Sequence, residues 1–255
     1  MNILLNISFD GTEFCGFQVQ KNGVSVAETL QNALEAVLGQ RPPITGCSRT
    51  DAGVHALGYA LNFHSDTRIP LYRLPLALNT KLPDTVRVNS ARQVPEDFHA
   101  RYSAHEKTYV YRIRNSAIDS PFDHAYALRF PGAPLDEAAM DRAAQAFVGE
   151  HDFSAFCAAG SSAAAHGDTV RRVSAASVRR EGSMVLFTVT ADGYLYNMVR
   201  IMAGTLVEIG AGRMAETAIP GILAGRDRGK AGPTLAARGL FLHSVAYDRE
   251  EEKHG

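Results

Sequence analysis

Apolar and polar positions along the chain fall into short blocks of two periods. Positions 2–9 are mainly apolar and read as a buried strand. Val26, Leu30, Ala33, Leu34, Val37 and Leu38 then recur on one helical face, with Ser25 and Glu28 at capping-box spacing and Gly39 at the C-terminal cap. Positions 44–49 and 56–63 predict strands on either side of an Asp51-Ala52-Gly53 turn, and 71–78 a second helix despite Pro75. Further strands are predicted over 86–94 and 107–113, and a helix over 135–148 that Gly149 ends. The Ala/Ser-rich stretch 158–165 predicts a mobile loop. Alternating runs at 170–178 and 184–191 predict a hairpin, followed by an apolar helix over 197–209, a short helix near 215–224 and a closing strand over 240–247. Strands interleaved with crossing helices give the fold class α+β, with helices on one face of a mainly antiparallel sheet.

Composition changes this picture little. The 255 residues carry 26 Lys and Arg against 27 Asp and Glu, with 45% hydrophobic residues, which excludes a polybasic tail or a disordered acidic segment. The length accommodates two packed halves, divided here as 1–104 and 105–255. Cys15, Cys47 and Cys157 are odd in number and widely spaced, so they suggest neither a disulfide framework nor a zinc site. The first residues lack the basic region and cleavage site of a leader, and no apolar run has the length of a membrane span. A cytoplasmic protein with no membrane partner is the expectation.

The densest group of reactive side chains runs from Ser48 to His55 between two apolar strands. Asp51, on a tight turn close to Arg49, is placed to be an ionised carboxylate and a nucleophile, although an Asx-turn uses the same residues. Lys107, Tyr109, Tyr111 and Ile113 share one face of a strand. Tyrosines beside a cation suit base stacking and phosphate contact, while rings packed in a core with bonded hydroxyls satisfy the same pattern. Arg200 stands among Met198, Val199, Ile201 and Met202 near the start of an apolar helix, where the helix dipole disfavours a cation. Such a buried charge needs a carboxylate or phosphate partner.

Other patterns fail. Residues 225–230 lack the first glycine of a phosphate loop, and the nine histidines never assume a zinc spacing, so no metal and no cofactor is implied. A glycosidase would need a second carboxylate, for which Asp10 and Glu13 are the sequence-suggested partners of Asp51.

Together these segments resemble the tRNA pseudouridine synthase A family over nearly the whole chain. The most specific is Arg49-Thr50-Asp51-Ala52-Gly53-Val54-His55, preceded by Phe9-Asp10-Gly11 and Gly16-Phe17-Gln18. Phe98-His99-Ala100-Arg101, Lys107-Thr108-Tyr109, Thr169-Val170-Arg171-Arg172, Met198-Val199-Arg200 and Gly239-Leu240 follow in the family's order. The resemblance implies an isomerase that converts uridine to pseudouridine at positions 38–40 of the tRNA anticodon stem-loop. It implies two ferredoxin-like (RRM-like) halves joined into one extended sheet with an active-site cleft between them, and a homodimer without cofactor or metal. Asp51 would be the catalytic aspartate, Tyr109 would stack on the target uracil, and Arg200 would pair with Asp51. Phe14, Phe17 and Leu240 are candidate apolar walls for the free base, and Arg49, Lys107, Arg171 and Arg172 candidate phosphate contacts.

Overall fold

Strand β1 (Asn2–Phe9) is buried at six of its eight positions and lies between two antiparallel neighbours; Ile3, Leu5, Ile7 and Phe9 form its apolar face, while Asn6 and Ser8 on the other face are half-buried. The computed structural model describes residues 1–21, 23–160 and 165–247; positions 161–164, at the centre of the stretch expected to be mobile, lie outside the described residues. The fold is mixed α+β, and the chain divides into two compact units, Met1–Lys107 with Phe241–Gly255, and Thr108–Leu240.

In the first unit the strand order is β4 (Val86–Val94), β1, β3 (His55–His64) and β10 (Leu240–Ala246), with the short β2 (Thr45–Gly46) also on β3. β10 runs parallel to β3, with Phe241 opposite His55. This pairing returns the end of the chain to the N-terminal unit, whereas the sequence division counted it with the C-terminal half. Helix α1 (Val26–Leu38) is capped as its sequence predicts: Ser25 Oγ accepts from the Glu28 N–H, and Gly39 takes φ 70°. α2 (Leu74–Asn79) starts three residues later than expected, because Pro75 fits only the first turn.

Two buried asparagines tie the segment after β4 to this sheet. Asn2 Nδ2 donates to the carbonyls of Pro95 at 3.0 Å and Phe98 at 2.9 Å. Asn62 Nδ2 donates to Asn2 Oδ1 at 2.9 Å, and Asn62 Oδ1 accepts from the Ala100 N–H at 2.9 Å. The backbone leading to Arg101 and Tyr102 is thereby fixed by side chains rather than by a strand.

The second unit orders its strands β5 (Glu106–Asn115), β9 (Met184–Ala191), β8 (Val170–Glu181) and β7 (Gly149–Asp152), with β6 (Leu128–Phe130) parallel to β5. The β8–β9 hairpin turns at Gly182, whose φ of 60° is glycine's region. α3 (Glu137–Ala144) is shorter than its predicted span: Asp136 Oδ1 caps it by accepting from the Ala139 N–H, and its C-terminal end tightens into a 3-10 turn at Gln145–Phe147. α4 (Met198–Gly210) is buried at eleven of its thirteen positions, and α5 (Ala218–Gly225) follows. Among the described residues no helix is long and apolar enough to cross a membrane.

Candidate active site

The Asp51 segment is held by the loop that follows β1. Two glycines permit the contact. A side chain on Gly11 would place its Cβ 2.0 Å from the Val54 carbonyl oxygen, and one on Gly16, at φ 110°, 2.6 Å from that of Thr50. The Phe17 N–H donates to the Thr50 carbonyl at 3.3 Å and the Gly53 N–H to that of Phe14 at 3.4 Å. Asp51 closes a turn in which its carbonyl accepts from the Val54 N–H at 3.2 Å, with Gly53 at φ 76°. Asp51 sits there half-buried, positioned by backbone contacts on both sides.

His55, which ends this segment, is fully buried and stacks on Phe241 with centroids 4.6 Å apart. Its Nδ1 lies 3.0 Å from the Gly11 nitrogen and 3.1 Å from Asp10 Oδ1. An unprotonated Nδ1 accepts from the Gly11 N–H, and a protonated one donates to Asp10. Asp10 Oδ1 also accepts from the Thr12 N–H at 2.9 Å and its hydroxyl at 2.5 Å. Asp10 is therefore a loop-closing acceptor, the ordinary structural use of a carboxylate at this position.

Phe17 is buried and stacks on Tyr59 at 4.3 Å and 23°. The Tyr59 hydroxyl donates to the Ser48 carbonyl at 2.5 Å, so the ring pair sets the backbone immediately before Arg49. Arg49 is exposed, whereas Lys107 is buried at 7% exposure. Burial pushes the Cys47 thiol up to about 12, against the opposing pull of the Lys107 charge.

In the second unit Tyr109 is 5% exposed and meets the edge of Tyr194 at 4.9 Å and 81°. Tyr111, two residues on, follows the core alternative: it is fully buried and its hydroxyl donates to the Ala236 carbonyl at 2.7 Å. Burial raises its phenol well above the ordinary range, while the Arg200 and Arg238 charges work the other way. Arg200 is half-buried. Its Nε donates to the Leu235 carbonyl at 2.7 Å and its Nη1 to Asn197 Oδ1 at 2.6 Å. Neutral oxygens thus supply part of the coordination that the sequence reading assigned to an anion. Asn197 stands at the left-handed φ of 61°, a conformation asparagine tolerates better than other side chains. Leu240 is buried behind Gly239, where a Cβ would come within 2.8 Å of the Tyr111 ring and the Arg112 carbonyl.

The two arginines of β8 differ. Arg171 is engaged by Asp168 at 2.8 Å, its side chain 16% exposed, and it holds that carboxyl below the usual range. Arg172 is exposed, with its backbone N–H bonded to Asp192 Oδ1. A cleft beside Arg49 is lined by Gln18 and Arg101, which the sequence offers only as parts of family motifs, and by Gln31, which falls singly on a helix and carries no signal of its own.

These loops present Asp51 on a turn held by the segment after β1, and comparison gives the class of the protein. Residues 6–103 and 143–248 match the sequence profile of the tRNA pseudouridine synthase family, and the chain belongs to that family, one of isomerases. The tRNA pseudouridine synthase A of Ruminiclostridium cellulolyticum is 45% identical over 251 residues, spanning 96% of this chain and 99% of that protein. The proteins of the same description from Moorella thermoacetica and Caldicellulosiruptor bescii are 46% identical over 245 residues and 43% over 246, spanning 95% and 96% of this chain and 98% and 99% of their own.

Proposed function

We propose that this chain isomerises uridine to pseudouridine in tRNA, at positions 38–40 of the anticodon stem-loop. The observation that carries the reading is the Arg49–His55 loop, pinned through Gly11 and Gly16 so that a half-buried Asp51 is presented on a rigid turn, in a chain of this family. The reaction breaks the N1–C1′ bond, turns the uracil and joins C5 to C1′; C5 releases its proton to solvent and N1 takes one up. Every atom of the base except the C5 proton is returned to the same sugar, so no group donor and no redox partner is needed.

An aspartate serves this reaction by attack at the sugar, by attack at the base, or by assisting loss of a sugar proton to a glycal. All three routes use the Asp51 carboxylate, and the Arg200 guanidinium is the cation that pairs with it and orients it. Extrusion of the uridine costs a few kcal/mol of lost stacking, part of which Tyr109 restores by stacking on the free base. Phe17 and Leu240 exclude water around it, and Arg49, Lys107, Arg171 and Arg172 hold the strand by its phosphates. Two ferredoxin-like halves joined in one sheet, a cleft between them and a cytoplasmic homodimer complete the proposal.

The test is tritium release from unmodified tRNA carrying [5-³H]uridine, followed by mapping of the product. Release with pseudouridine at positions 38–40, lost in Asp51→Asn while tRNA binding persists, is the expected result. Retention of more than a few per cent of the activity by Asp51→Asn would remove Asp51 from its role, and tight binding without any release by the parent protein would leave an RNA-binding module.

A further inference from the structure

A cleft of about 400 Å³ opens on the flank of the Asp51 loop; it shares Phe17 and Arg49 with the site proposed above and extends away from it toward Gln31 and Arg101. Its lining comes from the first unit alone. Phe17, Ile44, Gln18, Gln31, Arg49 and Arg101 are among the residues that line it, and Asp51 is not. The wall next to Phe17 is backbone at Gly46, where a Cβ would lie 2.6 Å from the Phe17 ring.

Three features specify the ligand. Both arginines are exposed, neither forms an ion pair among the described residues, and no carboxylate lines the cleft, so the local charge favours an anion. The glutamine side chains supply donors and acceptors together, as the edge of a nucleobase requires; Gln31 Nε2 donates to the Pro42 carbonyl at 3.4 Å, and its second N–H and its oxygen remain as hydrogen-bonding groups. The volume suits one nucleotide and is too small for a helical stem. Beside it the Tyr102 ring is 76% exposed, with the Arg101 guanidinium 5.6 Å from its centroid and the His99 ring tilted against it at 4.3 Å and 32°. An exposed ring bearing a cation is a surface on which a base stacks.

We infer that this cleft is a second nucleotide site, taking one unstacked nucleotide of the same RNA strand as the target uridine. Its phosphates lie on Arg49 and Arg101, its base edge faces Gln18 and Gln31, and the strand leaves over Tyr102. The inference rests on the tRNA reading proposed above. Its consequence is selectivity: a loop can deliver a second splayed base to the cleft, whereas a duplex holds its bases in the stack.

The experiment measures tRNA affinity in an Asp51→Asn background, where no turnover intervenes, and KM and kcat in the active protein. Arg101→Ala removes a phosphate contact, and Ile44→Phe fills the cleft without changing charge. Gln31→Phe fills it from the helix side should Ile44→Phe fail to fold, as judged by circular dichroism and thermal unfolding. Each filling variant is expected to weaken binding about ten-fold with an unchanged salt slope, and Arg101→Ala by a similar factor with the slope reduced by about one. In the active protein the losses fall on KM more than on kcat. A folded filling variant that binds tRNA like its parent overturns the proposal, even if Arg101→Ala weakens binding. The parent protein distinguishes the two failures: if it makes pseudouridine while filled variants bind normally, only the cleft is refuted, and if it makes none, the underlying reading falls first.

Discussion

Phe17 stacks on Tyr59 across Gly46, with ring centroids 4.3 Å apart, and the space for that stack exists because position 46 has no side chain. A Cβ there would stand 2.2 Å from the Tyr59 hydroxyl and 2.6 Å from the Phe17 ring. Gly46→Ala must displace one ring or the other. Overpacking of this kind costs about 1–3 kcal/mol, so denaturant unfolding should shift to lower concentration with little change in slope. Because Tyr59 also holds the Ser48 carbonyl, activity should fall by more than the small loss of folded protein explains. A variant as stable and as active as the parent would refute the packing argument.

Asn62 gives a second stability prediction. Its amide joins Asn2 Oδ1 to the Ala100 N–H, and both asparagines are at least nine-tenths buried. Asn62→Leu keeps the volume but strands the Asn2 oxygen and the Ala100 N–H, each a buried polar group without its partner. About 2–4 kcal/mol should be lost, and the Ala100 amide should exchange with solvent faster. Asn62→Asp should cost comparably at neutral pH, since a carboxylate cannot donate to Asn2. Hydrogen exchange at Ala100 unchanged from the parent would sink the account.

Much of this was legible in the sequence wherever one period dominated. β1 and the capped helix α1 carry unambiguous patterns, and their observed bounds match the expected ones. The shortfalls lie where tertiary geometry decided. The expected strand 44–49 is reduced to Thr45–Gly46, because Cys47 to Thr50 turn away to meet the loop at Phe17. The Asp51 loop stood out by its polar residues, but Gly11 and Gly16 acquire their purpose only when the Val54 and Thr50 carbonyls approach them. The Arg200 anomaly was readable as a cation in an apolar helix; that Leu235 and Asn197 supply acceptors was not, since Leu235 is remote in sequence.

Arg171 and Arg172 should part company in a salt titration of tRNA binding. Arg172 is exposed, so Arg172→Ala should lower affinity and reduce the slope of log K against log salt by about one, the release of one counterion. Arg171 is already engaged by Asp168, so Arg171→Ala removes a partly neutralised charge and should change the slope by less. A flat salt dependence in the parent protein would argue against phosphate contacts altogether. Equal slope changes for the two variants would mean that Asp168 releases Arg171 when RNA binds.

Cys47 links burial to alkaline stability. Its thiol is pushed from the ordinary 9.0 up to about 12 by burial, so the folded state resists ionisation that the unfolded chain accepts. A group raised in this way contributes stability that is fully present below its unfolded value and is lost as pH rises toward the folded one. Thermal stability should therefore decline from about pH 9 upward with a component that Cys47→Ala removes, once its own cavity cost is subtracted at neutral pH. The same burial governs reactivity: in the native protein a thiol reagent should reach Cys15, which is half-buried, well before Cys47 or Cys157, both buried. Rapid labelling of Cys47 at neutral pH, mapped by mass spectrometry, would contradict both halves of this prediction.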